Sequence, residues 1–349
     1  MTKYRAESEI GGPRIEVGLV RDGGTSLGGL YGLTDLFTFA GDIARKGQAA
    51  GAESPVRITH WQPGEDGEPH CIHDTQPGRP HALTVLIVPG NFTAPYRGPD
   101  SGGLIAWLRA RHDEGVVLAA VCGGVFILAR AGFLAGRQAT THWGFSEQFA
   151  AEFPDVLTET DEMVIDYGDT MTAGGVLAWA DLGLRIVERF LGPALMHDTA
   201  RFMNVDPPGR EQRFYSDFTP PTKHGDLPIL KAQTWLATHR ETPVSVADLA
   251  RHAGLEQRTF LRRFVQATGI KPSDYQQRLR MTRAREVLEF SRTSIDEIAS
   301  RIGYNDVAGF RRVFRKVVGL TPSEYRHRFS RLPFARDGAG AGTARAVGG

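Results

Sequence analysis

The sequence predicts two domains of different class: an α/β domain built on a doubly wound, mainly parallel sheet, then an all-α domain of two helix-turn-helix units. Three observations predict this. Short apolar, β-branched runs alternate with helical periodicity through the first part of the chain. A cluster of prolines and glycines then interrupts the pattern, and no strand-like run follows. Beyond that break one helical pattern occurs twice, offset by 49 residues at its first glycine and by 50 from its first phenylalanine onward.

Each element has a local reason. Arg14–Val20, Leu83–Val88 and Val116–Val121 read as buried strands, because short apolar runs rich in β-branched side chains suit a sheet covered on both faces. Leu30–Arg45 and Leu104–Glu114 carry helical periodicity, another helix follows Cys122, and a long one covers Val176–Leu191. Strands alternating with helices pair in parallel, since each crossover helix covers a sheet face. Met163–Asp166 and Thr170–Thr172 flank a Tyr-Gly-Asp turn and read as a hairpin. Pro207, Pro208 and Gly209, then Pro220, Pro221, Gly225 and Pro228, break the pattern. The expected domains are residues 1–216 and 227–330, with 217–226 as linker. The tail 331–349, rich in Gly and Ala and without a core pattern, reads as disordered.

The net charge of +1 conceals an asymmetry: Leu227–Arg331 holds 20 basic and 10 acidic residues, whereas Met1–Asp226 holds 19 and 29. An acidic body joined to a basic module points to a polyanionic partner for the module alone. The other reading is that the basic surface only keeps a helical domain soluble. The two cysteines, Cys71 and Cys122, do not make a disulfide scaffold. No apolar run approaches the roughly 20 residues that span a bilayer. The first residues contain no apolar segment of a secretory signal. A cytoplasmic protein without membrane contact is expected.

The repeat carries the most specific signal. One copy runs from Val244 through Gly254, Phe260 and Phe264 to Tyr275. The other runs from Thr293 through Gly303, Phe310 and Phe314 to Tyr325. Ser245 and Ser294 are expected N-caps, with Asp248 and Glu297 three residues on to complete capping boxes. Ala250 and Ala299 permit close helix crossing, and Gly254 and Gly303 end the helix where a left-handed residue is wanted. The next helix buries its phenylalanines at i,i+4 and leaves the opposite face for a groove. That face carries Arg258, Leu261 and Arg262 in one copy, and Val307, Ala308, Arg311 and Arg312 in the other. Arginine can donate two hydrogen bonds to guanine. Arg263, Arg315 and Lys316 lie further round, toward phosphates. A solvated arginine face is the alternative. Pro272–Phe290 reads as one long helix holding both copies in register.

This module resembles the AraC/XylS family of bacterial regulators. The matching words are Ile298-Ala-Ser-Arg-Ile-Gly-Tyr304, Phe310-Arg-Arg-Val-Phe-Arg-Lys316 and Gly319-Leu-Thr-Pro-Ser-Glu-Tyr-Arg326. The resemblance implies binding of double-stranded DNA by two recognition helices in successive major grooves.

In the first domain, Cys122 follows a strand and precedes Gly123-Gly124 and an apolar helix, the order of a nucleophile elbow. A helix N-terminus favours thiolate, and His142 is a candidate partner. Ala119–Ala129, Ala131–Arg137, Thr140-Thr-His-Trp143, Thr172-Ala-Gly-Gly175 and Asp181–Glu188 resemble the ThiJ/PfpI group of class I glutamine-amidotransferase-like domains. That resemblance implies a flavodoxin-like sheet, dimerisation, and sensing of a small nitrogen-containing metabolite. Enzymatic relatives place an acid beside the cysteine, where this sequence has Gly28 and Gly29. Cys122 is read as a ligand-pocket residue with Gly123, His142, Gly90 and Asn91. A redox thiol, a nucleophile and inert packing are the alternatives. His60, His70, His73, His81 and His112 form no convincing metal pattern, and the His70–His73 stretch reads as a surface loop. The expected function is a non-catalytic, homodimeric transcription regulator with a small-molecule effector, RNA polymerase as a candidate partner, and neither cofactor nor metal. The rival is a cysteine-dependent hydrolase or hydratase carrying a DNA-binding domain. RNA binding lacks the aromatic stacking motif it needs.

Overall fold

The computed structural model describes the chain except residues 1–14, 47, 50, 65–67, 92–100, 223, 242–243 and 332–349. It divides into two compact units, Met1–Ser216 and Asp217–Gly349. The expected disordered tail lies outside the described residues apart from Arg331.

In the first unit the elements are β1 (Ile15–Val20), α1 (Leu27–Ala44), β2 (Val56–Pro63), β3 (Pro69–Asp74), β4 (Val85–Val88), α2 (Ser101–Asp113) and β5 (Val117–Val121). Then come α3 (Val125–Arg130), β6 (Gln138–Ala139), α4 (Ser146–Glu152), β7 (Leu157–Thr158), β8 (Val164–Asp166), β9 (Thr170–Ala173), α5 (Ala178–Leu191) and α6 (Pro193–Met203). The main sheet has the order β3-β2-β1-β4-β5-β9-β8, and β6 and β7 pair separately. The five inner strands are parallel, while β3 and β8 are antiparallel edges.

Strand periodicity explains the two layers of helices. Val17, Leu19, Val85, Ile87, Val117 and Ala119 point into one core with α1, α5 and α6. Their neighbours Leu86, Val88, Leu118 and Ala120 point into a second core with α2, α3 and α4. Successive residues on a strand face opposite sides, so an unbroken apolar run needs cover on both.

Strand β2 is absent from the sequence reading because Arg57, Thr59 and His60 interrupt its apolar run. All three are buried. Buried polar groups are tolerated when bonded. Arg57 donates to Asp74 at 2.7 and 3.0 Å, and Glu16 accepts from His81 and the Ala82 N–H, each at 2.7 Å. His70, Cys71 and His73, expected on a surface loop, lie on edge strand β3, held by its register with β2. No cluster of three potential metal ligands occurs among the described residues.

In the second unit the described residues form only helices: α7 (Leu227–Thr238), α8 (Val246–Ala253), α9 (Gln257–Thr268), α10 (Pro272–Phe290), α11 (Ile295–Arg301), α12 (Val307–Val318) and α13 (Pro322–Phe329). Two small cores stabilise it. Phe260, Phe264, Tyr275 and Leu279 belong to one; Met281, Ala284, Leu288, Phe310 and Phe314 belong to the other. Helix α10 contributes to both, so a single rigid rod fixes the spacing of the two halves. No described helix is long and apolar enough to cross a membrane.

Candidate functional site

Each half of the helical unit is built by its caps. Ser245 Oγ accepts from the Asp248 N–H at 3.1 Å, and Ser294 Oγ from the Glu297 N–H at 3.2 Å. The acid three residues on is engaged differently in the two copies. The Asp248 carboxylate takes the Ser245 hydroxyl at 2.6 Å, and Glu297 pairs with Arg301. A reciprocal box forms at Thr321 and Glu324, the start of α13. Gly254 and Gly303 adopt φ of +68° and +77°, the left-handed conformation that ends a helix without a Cβ penalty. Phe260, Phe264, Phe310 and Phe314 are fully buried, as are Ala250 and Ala299. Burying that stripe turns the opposite face of α9 and α12 outward.

On the outward face lie Arg258, Leu261 and Arg262 of α9, and Ala308, Arg311, Arg312, Arg315 and Lys316 of α12, all exposed. Arg258, Arg262 and Arg312 make no hydrogen bond, ion pair or ring contact with the described residues. Arg311 lies 3.8 Å from Asp296. Two expected interface residues turn elsewhere. Val307 is half-buried against the second core, because its apolar side chain gains more there than in water. Arg263 is held by Asp226 in a two-pronged pair of 2.7 and 2.8 Å, an ion pair the helix periodicity does not reveal. Asp306 was missed: it caps α12 by accepting from the Ala308 and Gly309 N–H groups at 3.0 and 2.8 Å. An Asp immediately before an apolar-periodic run was the available signal.

In the first unit, the strand order reverses between β1 and β4. Ligands of such sheets bind outside the carboxyl ends of the strands at that switch point. There Ser26 N–H donates to Gly90 O at 2.7 Å, and Thr25 and Asn91 form an isolated bridge. A Cβ on Gly123 would lie 2.7 Å from Asn91 O, and one on Gly90 would lie 3.3 Å from Cys122 Cβ. Gly90, Asn91, Cys122 and Gly123 are thus brought together. Gly29 packs beside Ser26, and Gly28 faces open space.

Cys122 sits on the sharp turn at φ +54° and is 2% exposed. Burial pushes its thiol up to about 11, against a smaller opposing effect of the Gly123 N–H. Among the described residues no hydrogen bond joins its Sγ to His142. His142 Nδ1 accepts from the Gly144 N–H at 3.0 Å, and burial lowers the imidazole's pKa. The link to this segment is Thr141, whose hydroxyl donates to Cys122 O at 2.8 Å. Gln212 was missed altogether. Its side chain is buried, donates to Thr141 O and Thr160 O at 3.0 and 2.9 Å, and accepts from the Trp143 N–H at 2.8 Å. A separate cleft of about 370 Å³ adjoins α5 and β8. Its carboxylates Asp181 and Asp166 are already paired with Arg210 and Arg185.

Comparison with known proteins agrees with both units. Residues 249–328 match the helix-turn-helix domain model, and residues 71–189 match the DJ-1/PfpI family model. The transcriptional regulator ArgR of Pseudomonas aeruginosa is 30% identical over 223 residues, covering 63% of this chain and 67% of its own. CdhR of the same organism is 28% identical over 228 residues, covering 64% and 66%. GlxA of Rhizobium meliloti is 28% identical over 248 residues, covering 70% and 75%. The match therefore spans about two thirds of the first two relatives' lengths. The chain belongs to the helix-turn-helix transcriptional regulators that join an AraC-type DNA-binding unit to a DJ-1/PfpI domain.

Proposed function

We propose that this chain is a cytoplasmic, homodimeric transcription regulator that reads duplex DNA through α9 and α12. In this reading a small metabolite binds beside Cys122 without being turned over and adjusts that reading, with RNA polymerase as a further partner. The observation that carries it is the pair of recognition helices whose exposed arginines Arg258, Arg262 and Arg312 have no partner within the described protein. Unpaired guanidinium groups on a basic helical surface suit guanine edges and phosphates. Sensing without turnover is favoured by the buried, protonated thiol and by His142, which is engaged with Gly144 rather than with sulfur. A cysteine hydrolase needs the thiolate and a base oriented toward it.

The test uses the full-length chain and a random duplex pool. Selection should enrich one sequence, and its affinity should fall steeply with salt, with a log–log slope of roughly −4.5 to −7 for about 5–8 neutralised phosphates. A flat salt response, or no enriched sequence, overturns the reading. Turnover of a small substrate that Cys122→Ala abolishes would favour the enzyme instead.

A further inference from the structure

The chain enters the helical unit through residues 217–226, which the sequence reads as a linker. Its described residues Asp217, Phe218, Pro221, His224 and Asp226 are strapped to three helices. Asp217 pairs with Arg285 of α10 at 3.2 Å, and Phe218 packs edge-on against Tyr275 with ring centres 5.0 Å apart. Gln233 of α7 donates to Pro221 O at 2.8 Å and to the Tyr275 hydroxyl at 3.2 Å, and its carbonyl oxygen lies 2.8 Å from His224 Nε2. His224 Nδ1 accepts from the Asp226 N–H at 3.1 Å, which leaves Nε2 as the donor to Gln233. Asp226 closes the strap with two tasks. It caps α7 by accepting from the Ile229 N–H at 3.2 Å, and it grips Arg263 of α9 with both carboxylate oxygens.

The two halves of the repeat differ at this point. Shifting Arg263 by the 50-residue offset leads to Val313, a partly buried residue of the second core. Helix α12 is therefore seated by apolar packing and by its Asp306 cap. Helix α9 follows Glu256 at its N-cap, which makes no side-chain cap bond. A planar guanidinium fork on a carboxylate fixes direction as well as distance. The Arg263 guanidinium also holds the Asp226 carboxyl below its ordinary range, so the pair stays charged at neutral pH.

We propose that Asp226 is a positioning residue that makes the placement of recognition helix α9, and not α12, depend on how segment 217–226 is seated. The proposal rests on the DNA-binding reading above. The segment is the covalent path from the first unit into the second. Whatever displaces it withdraws Asp226 from Arg263 and loosens one reading head, leaving the other in place. An effector signal that reaches the segment then changes sequence discrimination on half of the site.

The test uses full-length protein, a duplex selected by the wild type from a random pool, and a scan of single base-pair changes. Asp226→Asn keeps an N-cap acceptor for α7, since Asn and Asp are nearly equivalent there. It should weaken binding to the selected duplex about three- to fivefold, the range of a partly exposed ion pair. The loss of discrimination should fall on the base pairs that Arg262→Ala also affects, and spare those that Arg312→Ala affects. The double variant Asp226→Asn with Arg263→Gln should bind no worse than Arg263→Gln alone. Equal loss across both halves of the site, additive losses, or unchanged binding would overturn the proposal. Should the wild type select no duplex, the DNA-binding reading fails separately. Hydrogen exchange then decides for Asp226: faster exchange across Gln257–Thr268 but not Val307–Val318 supports its role, and unchanged exchange across α9 refutes it.

Discussion

Gln212 lies far in sequence from the segment it holds, and removing it gives a quantitative test of the first unit. Gln212→Ala leaves Thr141 O, Thr160 O and the Trp143 N–H without the partners they have at 3.0, 2.9 and 2.8 Å. A buried polar group left unpaired costs about 1–3 kcal/mol. Thr141 is fully buried, but Thr160 and Trp143 are half-exposed, so water recovers part of the loss there. The net destabilisation is therefore about 2–3 kcal/mol for the first unit. At about 2–4 °C per kcal/mol for a domain of this size, its melting point should fall by roughly 4–12 °C. Calorimetry on the full-length chain should show the first unit's transition moving and the helical unit's staying. Gln212→Glu is the sharper variant. It keeps an acceptor for Trp143 but cannot donate to either carbonyl, and burying its charge adds a cost. If Gln212→Glu melts with the wild type, the clamp is not what holds residues 140–143 beside Cys122.

Three other expectations follow from the same geometry. Arg262→Ala and Arg312→Ala should each lose roughly 1–3 kcal/mol on the selected duplex, whereas Lys316→Ala should weaken all sequences alike; equal effects of Arg262→Ala on selected and random duplex in a titration would make it a phosphate contact. In a reporter assay with inducer, Cys122→Ser should respond and Cys122→Trp should not. A Cys122→Ser protein as unresponsive as Cys122→Trp would mean that thiol chemistry matters after all. His60 is held neutral down to about 4, mainly by burial and then by the charges of His73 and Arg21. Between that value and the ordinary 6.5 the unfolded chain binds a proton that the folded chain refuses, so stability should fall as pH drops through this window and level off below it. Denaturant midpoints measured across pH 4–7 check it: His60→Gln should flatten the slope, and an unchanged slope refutes the assignment.

The helical unit was legible almost residue by residue because its determinants are local. A serine cap, a closing glycine and a phenylalanine pair each act within a few positions, and α10 has the limits the periodicity predicts, Pro272–Phe290. The inner parallel strands were legible wherever both faces are apolar. Strand β2 was not, because Arg57, Thr59 and His60 are buried by partners on other strands, on α1 and in the crossover after β3. Gln212 was hidden for a similar reason: it stands between the two proline- and glycine-rich stretches that read as breaks, and its role appears only against Thr141, some 71 positions away. The seat of Arg263 depends on Asp226, 37 positions earlier. Pattern shows which face of a helix is polar. It does not show which polar residue another segment has already claimed.

The elbow at Cys122 illustrates how a site's shape can be kept apart from its chemistry. A non-glycine residue at φ +54° costs on the order of 1–2 kcal/mol. The reason for bearing that cost lies in the two residues that follow. A Cβ on Gly123 would stand 2.7 Å from Asn91 O, and one on Gly124 2.6 Å from Val88 O, so the backbone after β5 is pressed onto the loop after β4. The strand must turn abruptly to allow that approach, whatever side chain sits at the turn. With the thiol at about 11, roughly one molecule in ten thousand carries thiolate at pH 7. The turn therefore brings Gly90, Asn91 and Gly123 together at the switch point, while burial keeps the sulfur protonated. On the proposed reading a regulator needs no more from it, because an effector that prefers one arrangement of the protein by a few kcal/mol already shifts its population decisively.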